Sequence, residues 1–292
     1  FMNDKDKITA KENSRVYVLF YSFFLVPFMI AIFGAVFFLL FKFITFESNN
    51  AYDYLNDIRS GSASKRWQSA YELSKILSQP DLIPLERDFD NQMISAYDKS
   101  VHDNPKVRTY LALAMGQSRH ATFGPSLLAG MKDEDRISRL AAIQAIGMIQ
   151  YEPAVPSLSQ VISKSEIVEE RLASTIALGK IGSKASIPTL KLLLDDPEAN
   201  IRWDAAIALG KMGDKSGANI IVQLLDRDFF TSYPEVDEQE KIQAILVAIN
   251  MAAMLPDSQF ENQLVKLASS EPNLMIRDAA IKSLKSAYDR VI

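Results

Sequence analysis

The sequence predicts an all-α protein: a single N-terminal transmembrane helix followed by an α-solenoid of about seven helix hairpins. Three observations lead there. From Val16 to Phe41 the chain runs 26 residues without a charge. Beyond that run, several residue types return with one period of 31 or 32 residues, the signature of stacked repeats. Nowhere does a two-residue apolar alternation bounded by turn residues persist, so strands are not expected.

The uncharged run defines the first element. At 1.5 Å per residue a helix of 26 residues is about 39 Å long, more than the roughly 30 Å hydrocarbon core of a bilayer. The expected division is a short tail over residues 1–15, a transmembrane helix over 16–46 and a repeat domain over 47–292. Tyr17 and Tyr21 are placed for one interface and Lys42 for snorkelling at the other. Pro27 falls in the first half of the span, and Ala31 and Ala35, with Gly34 between them, give a small-residue pair at helical spacing. Lys5, Lys7, Lys11 and Arg15 precede the span, whereas after Lys42 the next cation is Arg59. The positive-inside rule then puts the N-terminus in the cytoplasm and the repeat domain outside, periplasmic or extracellular.

Composition narrows the chemistry. There is no cysteine, hence no disulfide or thiolate metal site, and the two histidines, His102 and His120, fall in inter-helix turns. They are read as solvated turn residues, and neither a metal nor a cofactor is expected. Residues 47–292 carry 27 Lys and Arg against 33 Asp and Glu. A domain of that sign repels a phosphate backbone unless its cations cluster on one face, so no nucleic-acid partner is expected.

The repeat is read by alignment on Gly116, Gly147, Gly179 and Gly210, spaced by 31, 32 and 31 residues. Eight residues before each glycine stands Arg108, Arg139, Arg171 or Arg202, and two before it Ala114, Ala145, Ala177 or Ala208. Pro125, Pro156 and Pro188 keep step, each followed two residues later by leucine. Within "SIPTLKLLLDDPEANIRWDAAIALGKMG" (residues 186–213) a proline opens one helix, where its missing amide costs nothing, and an acidic turn at Asp195–Pro197 ends it. A second helix follows, with Ile201, Ala205, Ala208 and Leu209 at spacings of three and four, and stops near Gly213. Such a hairpin has an apolar face that only stacking can bury. Alanine and glycine suit close helix approach, and a mid-helix glycine, about 1 kcal/mol worse than alanine, implies a packing reason.

The charged position in this pattern is the arginine. Asp103, Glu134, Glu166, Asp196 and Glu271 lie five or six residues before Arg108, Arg139, Arg171, Arg202 and Arg277, in the turn between the two helices. These carboxylates are expected to meet arginines of the same or a neighbouring unit and form a structural ladder.

The proline-leucine start, the acidic turn, the arginine and the endings "AAIALGKMG" and "STIALGKIG" resemble the HEAT-repeat family, in particular its short bacterial form with phycobilisome-lyase-type repeats. The resemblance is strongest over residues 119–214. "SKRWQSAYELSKIL" around Arg66 and "EPNLMIRDAAIKSLKSAY" around Arg277 read as terminal units, and "EKIQAILVAINMAAML" puts Lys241 at the arginine position. It implies a non-catalytic scaffold or adaptor binding a protein partner at the membrane surface, as an accessory subunit of a larger membrane complex such as a transporter. Some relatives are bilin lyases or isomerases and some are DNA glycosylases. The alternative function is therefore an enzyme acting on a protein-bound chromophore, although no P-loop, dinucleotide fingerprint, GxSxG or HExxH motif is present.

One segment departs from the period. From Arg202 to Lys241 is 39 residues, and the excess falls in "LLDRDFFTSYPEVDEQE". Its Phe229, Phe230, Tyr233, Glu235, Asp237 and Glu238 are the candidate partner-binding residues, because insertions in solenoids collect on one rim and loops carry binding functions. The other reading packs its aromatics onto adjacent helices. Trp67 and Trp203 directly follow a repeat arginine, a position toward the concave face or in the inter-repeat seam, and are expected to pack in the core.

Overall fold

The computed structural model describes residues 21–45 and 50–291, in two compact units, Phe1–Asn49 and Asn50–Ile292. In the first, a π-helical turn, Tyr21–Leu25, leads into α1, Val26–Thr45. Pro27 is the second residue of α1, directly after the π-helical turn and in the first half of the span. A proline has no amide to donate and crowds the carbonyl four residues back, and the wider π turn before it accommodates both effects. Phe23–Phe41 is long and apolar enough to cross a membrane, with its side chains exposed. Nothing lies within 4 Å of where a Gly34 side chain would begin. The expected start of the span with Tyr17, the tail on which orientation rests, and the side chains of Tyr21 and Lys42 lie outside the described residues.

The second unit is seven helix hairpins in chain order. They are Ala51–Ser60 (α2) with Ala63–Ile76 (α3), Arg87–Lys99 (α4) with Pro105–Ser118 (α5), and Gly124–Gly130 (α6) with Arg136–Met148 (α7). Next come Val155–Lys164 (α8) with Val168–Ile181 (α9), and Ile187–Leu192 (α10) with Ala199–Lys211 (α11). Ala218–Leu224 (α12) with Glu238–Met254 (α13) and Ser258–Ser270 (α14) with Leu274–Ala287 (α15) complete the array.

Local signals set the boundaries. Asn104, Asp135 and Asn273 cap second helices by accepting backbone amides two or three residues on. Short 3₁₀ turns at Ala121–Phe123, Glu152–Ala154, Lys184–Ser186 and Lys215–Gly217 precede the first helices of four successive units. Second helices end in a left-handed residue at Arg119, Gln150, Gly182 and Gly213, with φ of 58°, 53°, 68° and 81°. Glycine fits that conformation without strain, and Arg119 and Gln150 adopt it despite a side chain.

Successive second helices α3, α5, α7, α9 and α11 pack directly on one another, whereas the first helices touch their neighbours far less. The second helices therefore form the continuous layer of the stack. The recurring glycine and alanine meet there. A Cβ on Gly116 would lie 2.9 Å from Ala145 Cα, one on Gly147 2.8 Å from Ala177 Cα, and one on Gly179 2.9 Å from Ala208 Cβ. Each glycine seats the alanine of the next unit. The buried apolar residues form two clusters, from Ala51 to Leu209 and from Trp203 to Leu284, both drawing on α11.

Candidate partner-binding surface

The arginines staple this surface in two directions. Arg139 donates to its own turn through Asp133 O at 2.7 Å and Glu134 O at 2.9 Å, and Arg202 does the same to Asp196 O and Pro197 O. The rest of each guanidinium reaches the next unit. Arg66 pairs with Asp103, Arg108 with Asp133, Arg139 with Glu170 at 2.8 Å and Arg171 with Asp196 at 3.5 Å. The planar fork suits this double duty, since one group can donate to carbonyls and a carboxylate at once. Arg108 also lies 4.4 Å from the centroid of the Tyr97 ring, whose hydroxyl burial pushes up to about 12.

Two of the expected acids are replaced. Glu134 and Glu166 are exposed, and Asp133 and Glu170 hold the arginines instead. Glu170 sits in the first turn of α9 and is fixed by Ser165 Oγ, which donates at 2.8 Å. At the C-terminal end Arg277 donates only to Glu271 O, at 3.3 Å, and pairs with no carboxylate among the described residues. Arg202 likewise meets no acid across its joint, and Tyr233 OH accepts from it at 3.2 Å.

The insertion repairs the place where the ladder lacks an arginine. Trp203 is ringed by Phe229, Phe230 and Tyr233, with centroids 6.2, 5.9 and 5.1 Å away. Phe230 is fully buried, so its assignment as a partner contact is corrected: an indole facing out of α11 has to be covered, and this ring covers it. Asp237 caps α13 in a capping box with Glu240, and Glu238 pairs with Arg227. Arg227 also holds Glu271 at 2.9 Å, the role Lys241 leaves vacant. Arg227 lies outside the 31-residue register, and nothing in the period marks it. Glu235 is exposed, with no polar partner among the described residues.

Trp67 is half-buried under Lys106 Nζ, 4.9 Å from its centroid. His120 is not simply solvated. Its Nδ1 lies 2.8 Å from the buried Asp90, which also accepts from Thr122 Oγ1 at 2.8 Å. Among the described residues no group of three or more His, Asp or Glu side chains is placed to hold a metal.

What remains open is a row one side chain wide. Five residues after each repeat cation stand Tyr71, Leu113, Gln144, Ile176, Ile207, Leu246 and, in the terminal unit, Lys282, all exposed or half-buried. Four residues further on, a helical turn away, are Lys180 and Lys211. This row was not singled out from the sequence, although the period places one such residue on the same face of every second helix.

This arrangement defines an α-solenoid scaffold that presents a side-chain row along its second-helix layer. Residues 93–176 and 155–231 match the family model of HEAT repeats. No curated protein matches the chain. Among solved structures, the complex of CpcE and CpcF of phycocyanin lyase from Nostoc sp. PCC7120 is similar at a TM-score of 0.55 and 18% identity, covering 82% of this chain and 88% of that one. An engineered protein matches at a TM-score of 0.49 and 16% identity over 82% of this chain and 68% of that one. A designed armadillo repeat protein matches at 0.40 and 18%, over 80% and 98%.

Proposed function

We propose that the chain is a non-catalytic adaptor, anchored in a membrane by α1, whose second-helix row binds a segment of another protein, and that it serves as an accessory subunit of a larger membrane complex. The row supports this reading. Leu113, Ile176, Ile207 and Leu246 stay partly exposed at one repeated position, and the neighbouring Lys180 and Lys211 favour a partner with acidic residues beside an apolar stripe. On the insertion, Glu235 is the side chain left open to a partner. The tail then lies in the cytoplasm and the repeats outside.

The test is a photo-crosslinking amino acid placed singly at Leu113 and Ile176 on the row, and at the exposed first-helix residues Gln160 and Gln223. The row positions are expected to give one discrete adduct absent from the other two. Adducts of equal yield from both sets, or none from the row, would count against the adaptor reading. The chromophore-lyase alternative shares its fold with the CpcE–CpcF complex, and a coloured covalent product from bilin, acceptor protein and this chain would establish it instead.

A further inference from the structure

The first two hairpins border an open cavity of about 460 Å³, which shares only the Arg66–Asp103 pair with the ladder. Arg59 from the last turn of α2, Arg66 from α3, and Lys99 and His102 from the end of α4 and the turn after it line its walls, with Asp103. Buried Ile58 and Val107 contribute apolar surface. Among the described residues the only carboxylate in its lining, Asp103, is paired with Arg66. Arg59 has one polar contact, Nη1 donating to the neutral Gln92 Oε1 at 3.4 Å, and the side chains of Lys99 and His102 have no polar partner among the described residues.

The balance is positive. Three side-chain cations face one carboxylate. The C-terminal ends of α2 and α4 add about half a negative charge each, which offsets part of this and leaves a net positive cavity. That stands out in a repeat domain with more acids than bases. The volume is within the range of small-molecule sites, and a guanidinium with an ammonium and an imidazole suits an oxyanion with several acceptor oxygens.

We propose that this cavity binds a phosphate-type anion, with Arg59 and Lys99 supplying the charge and His102 a further ring nitrogen. The phosphate belongs either to a soluble phosphate compound or to a lipid headgroup, which share this chemistry. The inference does not depend on the adaptor reading.

The chain has two histidines, which makes His102 a reporter. The full chain, ¹⁵N-labelled at histidine in zwitterionic detergent micelles at fixed salt, is titrated with inorganic pyrophosphate. In parallel it is placed in phosphatidylcholine nanodiscs with and without phosphatidylglycerol. The expected result is a saturable shift of the His102 ring signals while those of His120, held by Asp90, stay in place. A shift with pyrophosphate assigns a soluble phosphate compound, and a shift only with phosphatidylglycerol assigns a headgroup. The double variant Arg59→Gln/Lys99→Gln is expected to weaken the response at least about tenfold, and Lys285→Gln, on α15, to leave it unchanged. No His102 shift with either probe, or equal responses in the two variants, overturns the proposal.

Discussion

Across the joint between the fourth and fifth hairpins, Gly179 seats Ala208 and Arg171 meets Asp196. Across the next joint the same two positions find different partners. Gly210 faces the Met251 thioether, a Cβ there lying 3.3 Å from Sδ, and Arg202 meets a phenol. The apolar core divides at this place too, and α11 packs on α13 more sparsely than on α9. The regular joints are one solution used repeatedly, whereas the joint into the sixth hairpin is improvised from an insertion that brings aromatic cover for Trp203 and a phenol for Arg202, and whose Arg227 staples the following joint through Glu271. Repeats propagate a fold, but a departure from register has to carry its compensation with it.

The carboxylate partner should show the largest difference between the two kinds of joint. Arg139→Met leaves the nearly buried Glu170 without its cation and is expected to lower stability by about 3 kcal/mol in urea unfolding. Arg202→Met abandons only a hydroxyl across its joint and should lose about 1.5 kcal/mol. Next come the glycines. Gly147→Ala drives a methyl to 2.8 Å from a backbone atom and should lose about 2 kcal/mol despite its better helix propensity. Gly210→Ala meets the flexible end of Met251 and should be neutral, or stabilise by up to about 1 kcal/mol.

Asp204 stands on α11 where the two preceding units have Ala141 and Ala173. Burial pushes its carboxyl up to about 6, partly offset by Lys211. The folded state therefore holds this proton more tightly than the unfolded chain, so the ionised form is a liability above about pH 6 that fades toward pH 4. Asp204→Asn is expected to raise stability by about 2 kcal/mol at pH 8 and to change nothing below about pH 4, read from unfolding curves at both values. The helix ends give the smallest effect. Gly182→Ala should lose about 1 kcal/mol at its left-handed φ, and Gln150→Gly should gain somewhat less, since glycine also widens the unfolded ensemble.

Much of the fold was legible because a stack of like units writes its contacts as a period. The alanine and glycine positions could be read as close-packing sites from spacing alone, although that glycine n meets alanine n+1 needed the structure. The acid of the ladder was legible only in part. Its backbone position shifts from the turn at Asp133 to the helix at Glu170, and a longer side chain makes up the distance. At the insertion the sequence left two readings open, and Phe230 follows the one that packs it on the adjacent helices. Sequence gives the period of α11 but not that the Trp203 ring emerges under the loop and must be covered. The cations of the cavity come from three elements spread over some forty residues, and Arg59 and Lys99 lie outside the repeat register of Arg66, so no pattern gathers them.

The central claim is that the regular joints fuse hairpins into one cooperative block and that the improvised joint ends it. Native-state hydrogen exchange on the full chain tests this directly. The account predicts that amides of α13, α14 and α15 exchange through a shared opening of lower free energy than those of α5, α7, α9 and α11. If all these helices instead exchange through one opening of the same free energy, the joint between the fifth and sixth hairpins is no weaker than the rest and the claim is contradicted.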